Sequence, residues 1–164
     1  MGIVGYFTAI DSEVLSDLRA DPEQTAELLF PNDGEDEPEN TIDVDKSWHG
    51  LHFILCELAK GGSSALESAI LGGEPLGEDF GYGPPRVLTP SEVQAIAIAL
   101  SAITDEVFAS QFNPAAMEAQ EIYPQFWERD GAEALDYLKH FFPSLVAFYA
   151  DAAAQEKAVV LWLA

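Results

Sequence analysis

Ala158-Val159-Val160-Leu161-Trp162-Leu163 is a run of β-branched, aliphatic and aromatic residues near the carboxyl end, and it decides the fold class. The run is too short for a good helix and predicts a buried strand. The segment Gly2–Ile10 is a second, nearly continuous apolar run that also predicts a buried strand. We expect these two segments to pair in one sheet and bring the first and last residues together. A third short strand is predicted at Arg86-Val87-Leu88, which prolines flank.

Several segments between these strands carry the start signals of helices. Thr89-Pro90-Ser91-Glu92 combines a capping hydroxyl, a proline at the first helical position and a glutamate at the third. Asp21-Pro22-Glu23-Gln24 repeats this arrangement, and shorter helices are predicted after Asn113-Pro114 and between Ser64 and Gly72. Two segments, residues 31–40 and 72–85, predict a solvated acidic loop that is partly disordered and an irregular glycine-rich loop.

The longest helical pattern follows Asp130, which can cap a helix that has Glu133 three residues further on. Its apolar residues recur in steps of three and four and form one stripe: Leu135, Leu138, Phe142, Leu145 and Tyr149. Because Pro143 lies inside this pattern, we expect either a kink or two helices that meet at Phe142.

Strands at both ends and helices between them predict an α+β fold. In this fold, one small mixed sheet includes the N-terminal and C-terminal strands and packs against several amphipathic helices. A chain of 164 residues, of which 48% are hydrophobic, fits a single domain over residues 1–164. The single cysteine excludes an intramolecular disulfide, and residues 1–7 have no basic or long apolar segment of the kind that directs export. These features predict a cytoplasmic protein.

The charge balance excludes some partners and favours others. Seven Lys and Arg face 29 Asp and Glu, which gives a formal net charge of -22. Such a surface repels phosphate backbones and anionic membranes, so neither nucleic acid nor a membrane is an expected partner. It favours a basic protein or a cationic small ligand, although the charge also serves solubility alone. No cofactor and no metal is predicted, and the oligomeric state stays open.

The segment Asp43–Phe53 holds two of the three histidines. Asp43 or Asp45 can cap a helix that begins near Lys46, and a spacing of three brings His49 and His52 to one side of it. Two interpretations stay open: a metal or acid–base site, and a buried, hydrogen-bonded His52 beside capping aspartates. Cys56 lies four residues after His52, so a thiol–imidazole pair is possible, as is a small core residue.

The glycine-rich loop that ends at Arg86 lacks the lysine and the consecutive N–H groups of a phosphate cradle. Tyr82 and Arg86 can instead offer a stacking ring and an anion-pairing fork, unless Arg86 pairs with a nearby carboxylate. The aromatic segment around Tyr123 either packs on the core or stacks a ligand. The candidate binding cleft therefore consists of Asp45, Lys46, Trp48, His49, His52, Tyr82, Arg86 and Tyr123, and no catalytic residue is assigned.

Five blocks of residues carry a resemblance to a known family. They are Met1-Gly2-x-x-Gly5-Tyr6-Phe7, Asp43-x-Asp45-Lys46-x-Trp48-His49-x-Leu51-His52, Gly81-Tyr82-Gly83-Pro84-x-Arg86, Ile122-Tyr123-Pro124 and Val159-Val160-Leu161-Trp162-Leu163. In this combination the sequence resembles the YfbM-like family of bacterial proteins, a domain of unknown function. The resemblance implies a small bacterial α+β domain in the cytosol and no catalytic residues. The Leu55-Cys56-Glu57 segment and the acidic residues between Asp33 and Glu39 depart from the family pattern.

Three functions follow as hypotheses. A protein- or ligand-binding module with an acidic surface is favoured, because no catalytic motif accompanies the charge. One form of this hypothesis is an immunity-type protein that neutralises a basic partner. The alternative is a small enzyme whose cleft is lined by Asp45, Lys46, His49, Tyr82, Arg86 and Tyr123.

Overall fold

The computed structural model describes residues 2–164, which form five strands and nine α-helices. The strands are β1 (Gly5–Ile10), β2 (Thr41–Asp43), β3 (Glu74–Pro75), β4 (Arg86–Leu88) and β5 (Ala158–Leu163). The helices are α1 (Ser12–Ala20), α2 (Gln24–Leu29), α3 (Trp48–Ala59), α4 (Ser68–Leu71), α5 (Pro90–Ser101), α6 (Asp105–Ser110), α7 (Pro114–Ala119), α8 (Trp127–Asp130) and α9 (Ala132–Ala154). Among these described residues, no helix is both long enough and apolar enough to span a membrane.

The five strands form one sheet in the order β2-β1-β5-β4-β3. The terminal strands β1 and β5 pair along their whole length, from Gly5 opposite Leu163 to Ile10 opposite Ala158. This pairing confirms the α+β class and the predicted meeting of the two ends. The expectation of a mixed sheet is wrong, because all four strand pairs are antiparallel. Each strand runs opposite to the strand beside it, so no parallel crossover connection is needed.

Hydrophobic residues cover both faces of the sheet because side chains alternate along each strand. Phe7, Leu88 and Leu161 lie in the larger cluster, which also contains the buried residues of α3, α5 and α9. Val87 and Val160 lie in a smaller cluster with the leucines of α1 and α2. The helix α1 is not among the predicted helices, although it buries Leu15 and Leu18 three residues apart.

Two of the predicted helix caps, at Thr89 and Asn113, are confirmed. Thr89 Oγ1 accepts from Glu92 N at 3.3 Å, and Asn113 Oδ1 accepts from Ala116 N at 3.1 Å. The Asp21 and Asp130 caps are wrong: α2 begins at Gln24, and α9 begins after Gly131. Asp130 instead accepts from Arg129 Nε at 2.7 Å, because it lies at the end of α8.

Helix α9 runs without interruption through Pro143 over 23 residues. Its buried stripe contains Leu138, Phe142, Leu145 and Tyr149, as the sequence pattern predicts. Pro143 is exposed, so water can satisfy the backbone carbonyl that its missing N–H leaves without a partner. Of the two alternatives that the sequence left open, the one with two helices that meet at Phe142 is therefore wrong, and a single helix continues through Pro143.

The predicted exposure of residues 31–40 and the predicted irregular backbone of residues 72–85 are confirmed. Residues 31–40 are exposed except for Pro31 and Pro38, and Pro31–Gly34 form a tight turn in which Asn32 and Asp33 have φ angles of 52° and 57°. The glycine-rich segment 72–85 is irregular except for the two-residue strand β3, which is not among the predicted strands. Within this segment, the Asp79 carboxylate accepts from Gly81 N at 2.7 Å and from Gly83 N at 3.0 Å, which fixes the turn before β4.

Candidate functional site

The first part of the candidate cleft lies where the amino-terminal segment meets the start of α3. A 3₁₀ turn, Asp45–Ser47, precedes α3, and Asp45 has a φ of 48°. The helix begins at Trp48 without a side-chain cap, so the predicted cap by Asp43 or Asp45 is wrong. Asp43 instead accepts from Asp45 N at 3.0 Å, which stabilises the turn in place of the helix end.

Trp48 fixes the amino-terminal segment against α3. Its indole Nε1 donates to the Ile3 carbonyl at 2.9 Å, and its ring stacks on Tyr123 with centroids 5.6 Å apart. A Cβ atom at Gly5 would lie 2.7 Å from the Trp48 Cβ, so only glycine permits this approach. Gly5 and Trp48, which belong to two separate sequence blocks, therefore contact each other.

His49 and Tyr123 connect this contact to the aromatic turn before α8. Tyr123 N donates to His49 Nδ1 at 2.9 Å, and Tyr123 OH accepts from Ile3 N at 2.8 Å. Because Nδ1 accepts this bond, the His49 ring is neutral with its proton on Nε2. Burial also lowers the pKa of His49, which favours the same neutral form. Lys46 is exposed, and its side chain and the Tyr123 hydroxyl both lie close to Gly2.

Tyr137, on α9, completes the network and is not among the predicted site residues. Its hydroxyl donates to Asp45 Oδ2 at 2.6 Å and accepts from Lys46 N at 3.0 Å. Burial, followed by the hydrogen bond and charge of Asp45, raises the pKa of Tyr137. The two partners are 92 residues apart, so no local spacing indicates this bond. Its one sequence signal is an aromatic residue with a polar tip beside the apolar stripe.

We expect Tyr137→Phe to lower the free energy of unfolding by about 1–2 kcal/mol. The substitution removes the hydroxyl that donates to Asp45 Oδ2 and accepts from Lys46 N, and it leaves the ring unchanged. Urea denaturation followed by circular dichroism measures the change. Tyr82→Phe is the matched control, because Tyr82 is 52% exposed and should tolerate loss of its hydroxyl. Equal stability of the two variants would contradict a stabilising role for the network.

His52 lies one turn further along α3 and contacts Cys56. The thiol Sγ is 3.4 Å from His52 Nε2, so the predicted thiol–imidazole pair exists. Burial, to which the neighbouring His49 and Arg86 add, lowers the pKa of His52 to about 4. Burial and the carboxylates of Glu67 and Glu57 raise the pKa of Cys56. Near neutral pH both members are therefore uncharged, unlike the thiolate of a reactive cysteine.

Arg86 lies on β4, between Leu161 of β5 and Pro75 of β3, and its charge contributes to the lowered pKa of His52. Among residues 2–164 the ion pairs are Lys60–Glu57, Arg129–Asp130 and Lys157–Asp11. The expectation that Arg86 pairs with a nearby carboxylate is therefore wrong: none of the 29 acidic side chains within the described part of the chain lies close enough. Tyr82 is exposed on the preceding loop, and no described hydrogen bond joins it to the other site residues.

The structure also forms two neighbouring clefts that share a wall, and neither is among the predicted sites. The first has a volume of about 680 Å³, and its lining includes five carboxylates and one ammonium: Asp11, Glu27, Asp36, Glu37, Glu39 and Lys157. The second, of about 370 Å³, is lined by Tyr6, Phe30 and Trp162 together with Glu35. Asp36, Glu37 and Pro38 line both clefts, so the exposed acidic loop separates them.

The aromatic wall of the second cleft is ordered by ring packing. Tyr6 stacks on Trp162 with centroids 4.2 Å apart, and Phe30 meets Trp162 edge-on at 5.3 Å. Trp162 Nε1 donates to Thr8 Oγ1 at 3.0 Å, which holds the indole in place. Burial, together with the charges of Asp43, Glu37 and Asp45, raises the pKa of Tyr6. The electrostatic potential at this wall is therefore negative.

These features define a small α+β protein with an antiparallel sheet, a polar network at the start of α3 and two acidic clefts on one side. The family model described as Domain of unknown function (DUF1877) matches residues 1–162. The chain belongs to this family, which confirms the predicted YfbM-like membership.

A curated protein sequence and a solved structure, both of YfbM from Escherichia coli, are similar to the chain. Protein YfbM of Escherichia coli (strain K12) is 32% identical over 133 residues, which cover 76% of this chain and 74% of the relative. The crystal structure of YfbM from Escherichia coli, described as a protein of unknown function, matches with a TM-score of 0.75 at 23% identity. The match covers 98% of this chain and 99% of that structure, so the two share one fold.

Proposed function

We propose that the protein is a binding module that holds a basic segment of a partner protein across its two acidic clefts. The observation that carries this proposal is the shared wall: one exposed loop places carboxylates toward both a polar cleft and an aromatic cleft. Lys and Arg side chains combine a charge with a long apolar stem, so they match carboxylates beside aromatic rings. The occupant is thus a cationic peptide segment in the cytosol.

Charge supports the same choice of occupant. The first cleft has five carboxylates against Lys157, whose Nζ lies 3.9 Å from Asp11 Oδ1. Burying a further anion there would add repulsion, whereas a cationic segment would relieve the repulsion among the carboxylates. The net charge of -22 also steers cations toward the surface and accelerates their encounter.

The polar network at the start of α3 gives no comparable support to the enzyme hypothesis. The Asp45 carboxylate, the His49 Nδ1 atom and the Tyr123 hydroxyl each bond within the protein. A general base must instead reach a substrate proton directly or through one water. Binding by the clefts therefore remains the better supported proposal.

The test is a matched pair of triple variants that remove the same charge. Asp36→Asn/Glu37→Gln/Glu39→Gln neutralises cleft residues, and Glu128→Gln/Glu133→Gln/Asp136→Asn neutralises exposed residues outside both clefts. The probe is a fluorescein-labelled peptide of alternating Lys and Arg, and fluorescence anisotropy measures its Kd at low and moderate salt. We expect the cleft variant to bind about tenfold more weakly, which corresponds to about 1.4 kcal/mol.

The control variant should remain within about twofold of the wild type, and all affinities should fall with added salt. If both variants lose affinity equally, the peptide responds only to net charge and the clefts have no specific role. If the wild type does not bind the peptide at all, the proposal is wrong.

A further inference from the structure

We propose that Arg86 and His52 form a binding site for a small carboxylate, separate from the acidic clefts. The site lies on β4, next to the two-residue edge strand β3, beneath α3. Arg86 pairs with Leu161 in the sheet, and alternation places its side chain on the same face as Leu88. Both leucines belong to the larger hydrophobic cluster, and α3 packs on that face. Arg86 therefore extends toward the helix that carries His52.

The hydrogen-bonding capacity of Arg86 is unused within residues 2–164. Its Nε atom is buried and has no acceptor, and no ion pair involves the guanidinium. A buried donor without an acceptor costs about 1–3 kcal/mol, so native proteins rarely keep one without a reason. The two terminal nitrogens also have no described acceptor, and the Arg86 side chain as a whole is only half-buried.

The surroundings of Arg86 distinguish it from the other cations. Burial lowers its pKa, and no carboxylate contributes to that shift. In a chain with 29 acidic residues, this location keeps an arginine away from every local anion. A structural arginine at an acidic surface would ordinarily take one of those carboxylates as its partner. The absence of such a partner in the described chain leaves the guanidinium available to a ligand.

His52 adds a second donor without adding charge. Its pKa of about 4 keeps the ring neutral near pH 7. The Cys56 thiol is protonated and close to one ring nitrogen, so its S–H can donate there while the other nitrogen carries the ring proton. A neutral imidazole beside a guanidinium can donate one N–H to the oxygen of a bound anion.

Charge and geometry select a carboxylate among anions. The planar guanidinium donates two parallel N–H bonds to the two oxygens of a carboxylate. The net charge of -22 repels a dianion about twice as strongly as a monoanion, since the Coulomb energy is proportional to the ligand charge. A monocarboxylate therefore binds at lower electrostatic cost than doubly charged phosphate.

Nuclear magnetic resonance of the histidine rings tests the site with sodium acetate as the probe. The His52 signals are identified from their loss in His52→Gln, and acetamide and sodium chloride at matched concentration serve as neutral and ionic controls. We expect acetate to shift the His52 signals saturably and acetamide to leave them unchanged. A bound anion should also move the titration of His52 to higher pH, because it favours the charged ring.

Variants of Arg86 separate a binding site from a structural role. Arg86→Gln should weaken the acetate response at least about tenfold, and Arg86→Lys, which keeps the charge but not the fork, should retain an intermediate response. Arg129→Gln removes an exposed arginine and should respond like the wild type. An unsaturable acetate response, an equal response in Arg86→Gln, or tighter binding of sodium phosphate than of acetate would overturn the proposal.

Discussion

Replacing Trp127 by alanine should lower the free energy of unfolding by about 3–5 kcal/mol, the largest stability change we expect from a single substitution. The indole is fully buried, and its Nε1 donates to the Ile122 carbonyl at 2.7 Å. Its ring lies so close to Gly50 on α3 that a Cβ atom at that position would overlap it. Alanine would leave a cavity between α3 and α9 and a carbonyl without its donor.

Urea denaturation followed by far-ultraviolet circular dichroism measures this change independently of tryptophan emission. Trp127→Phe keeps most of the volume but loses the indole donor, so it should fall between the wild type and Trp127→Ala. Ile98→Ala is the surface control, because Ile98 is 72% exposed and its truncation should cost less than about 0.5 kcal/mol. If Trp127→Ala proves no less stable than Ile98→Ala, the indole does not hold α3 and α9 together.

The second large effect is a loss of stability in mild acid that depends on His52. Burial, together with the neighbouring His49 and Arg86, lowers the pKa of His52 from 6.5 to about 4. Between these values the unfolded chain binds a proton that the folded protein does not, so falling pH favours unfolding. The contribution of the neutral ring to stability is fully present above pH 6.5 and is lost toward pH 4. From pH 7 to pH 5 this loss amounts to about 2 kcal/mol.

Urea unfolding of wild type and His52→Gln at pH 7, 6 and 5 isolates this contribution from that of the carboxylates. Glutamine does not titrate, so the decrease between pH 7 and pH 5 should be about 2 kcal/mol smaller in the variant. His140→Gln is the control, since His140 is exposed on α9. Its replacement should leave the decrease in stability between pH 7 and pH 5 the same as in the wild type. Identical pH dependence in wild type and His52→Gln would show that the His52 ring has the same pKa in the folded and unfolded states, which would contradict the prediction.

Local patterns predicted those parts of the fold that depend on neighbours in sequence. The caps at Thr89 and Asn113 act within three residues, and the stripe on α9 follows one helical period. Two local signals were overridden by their context. The proline at 143 does not divide α9, because it faces water, and Asp130 caps no helix, because it lies at the end of α8 and α9 begins only after Gly131.

The candidate site was predicted in part. Asp45, Lys46, Trp48, His49 and Tyr123 meet around the amino-terminal segment, and His52 lies near Arg86. Tyr82 makes no described hydrogen bond with them, and the two acidic clefts were not predicted. A cleft forms from the relative positions of several elements, and the acidic loop by itself indicates only solvation.

Periodicity, composition and motif blocks are properties of the chain, so they were sufficient to predict the apolar strands at the two ends, most of the helices between them and the family. The partners of the polar groups, in contrast, follow from the folded structure alone. Tyr137 meets Asp45 across 92 residues, and Tyr123 meets Ile3 across 120. Arg86 is left without a carboxylate because folding buries its Nε atom on a sheet face away from every described acid. Such distances depend on how the whole chain packs, and no local pattern contains them.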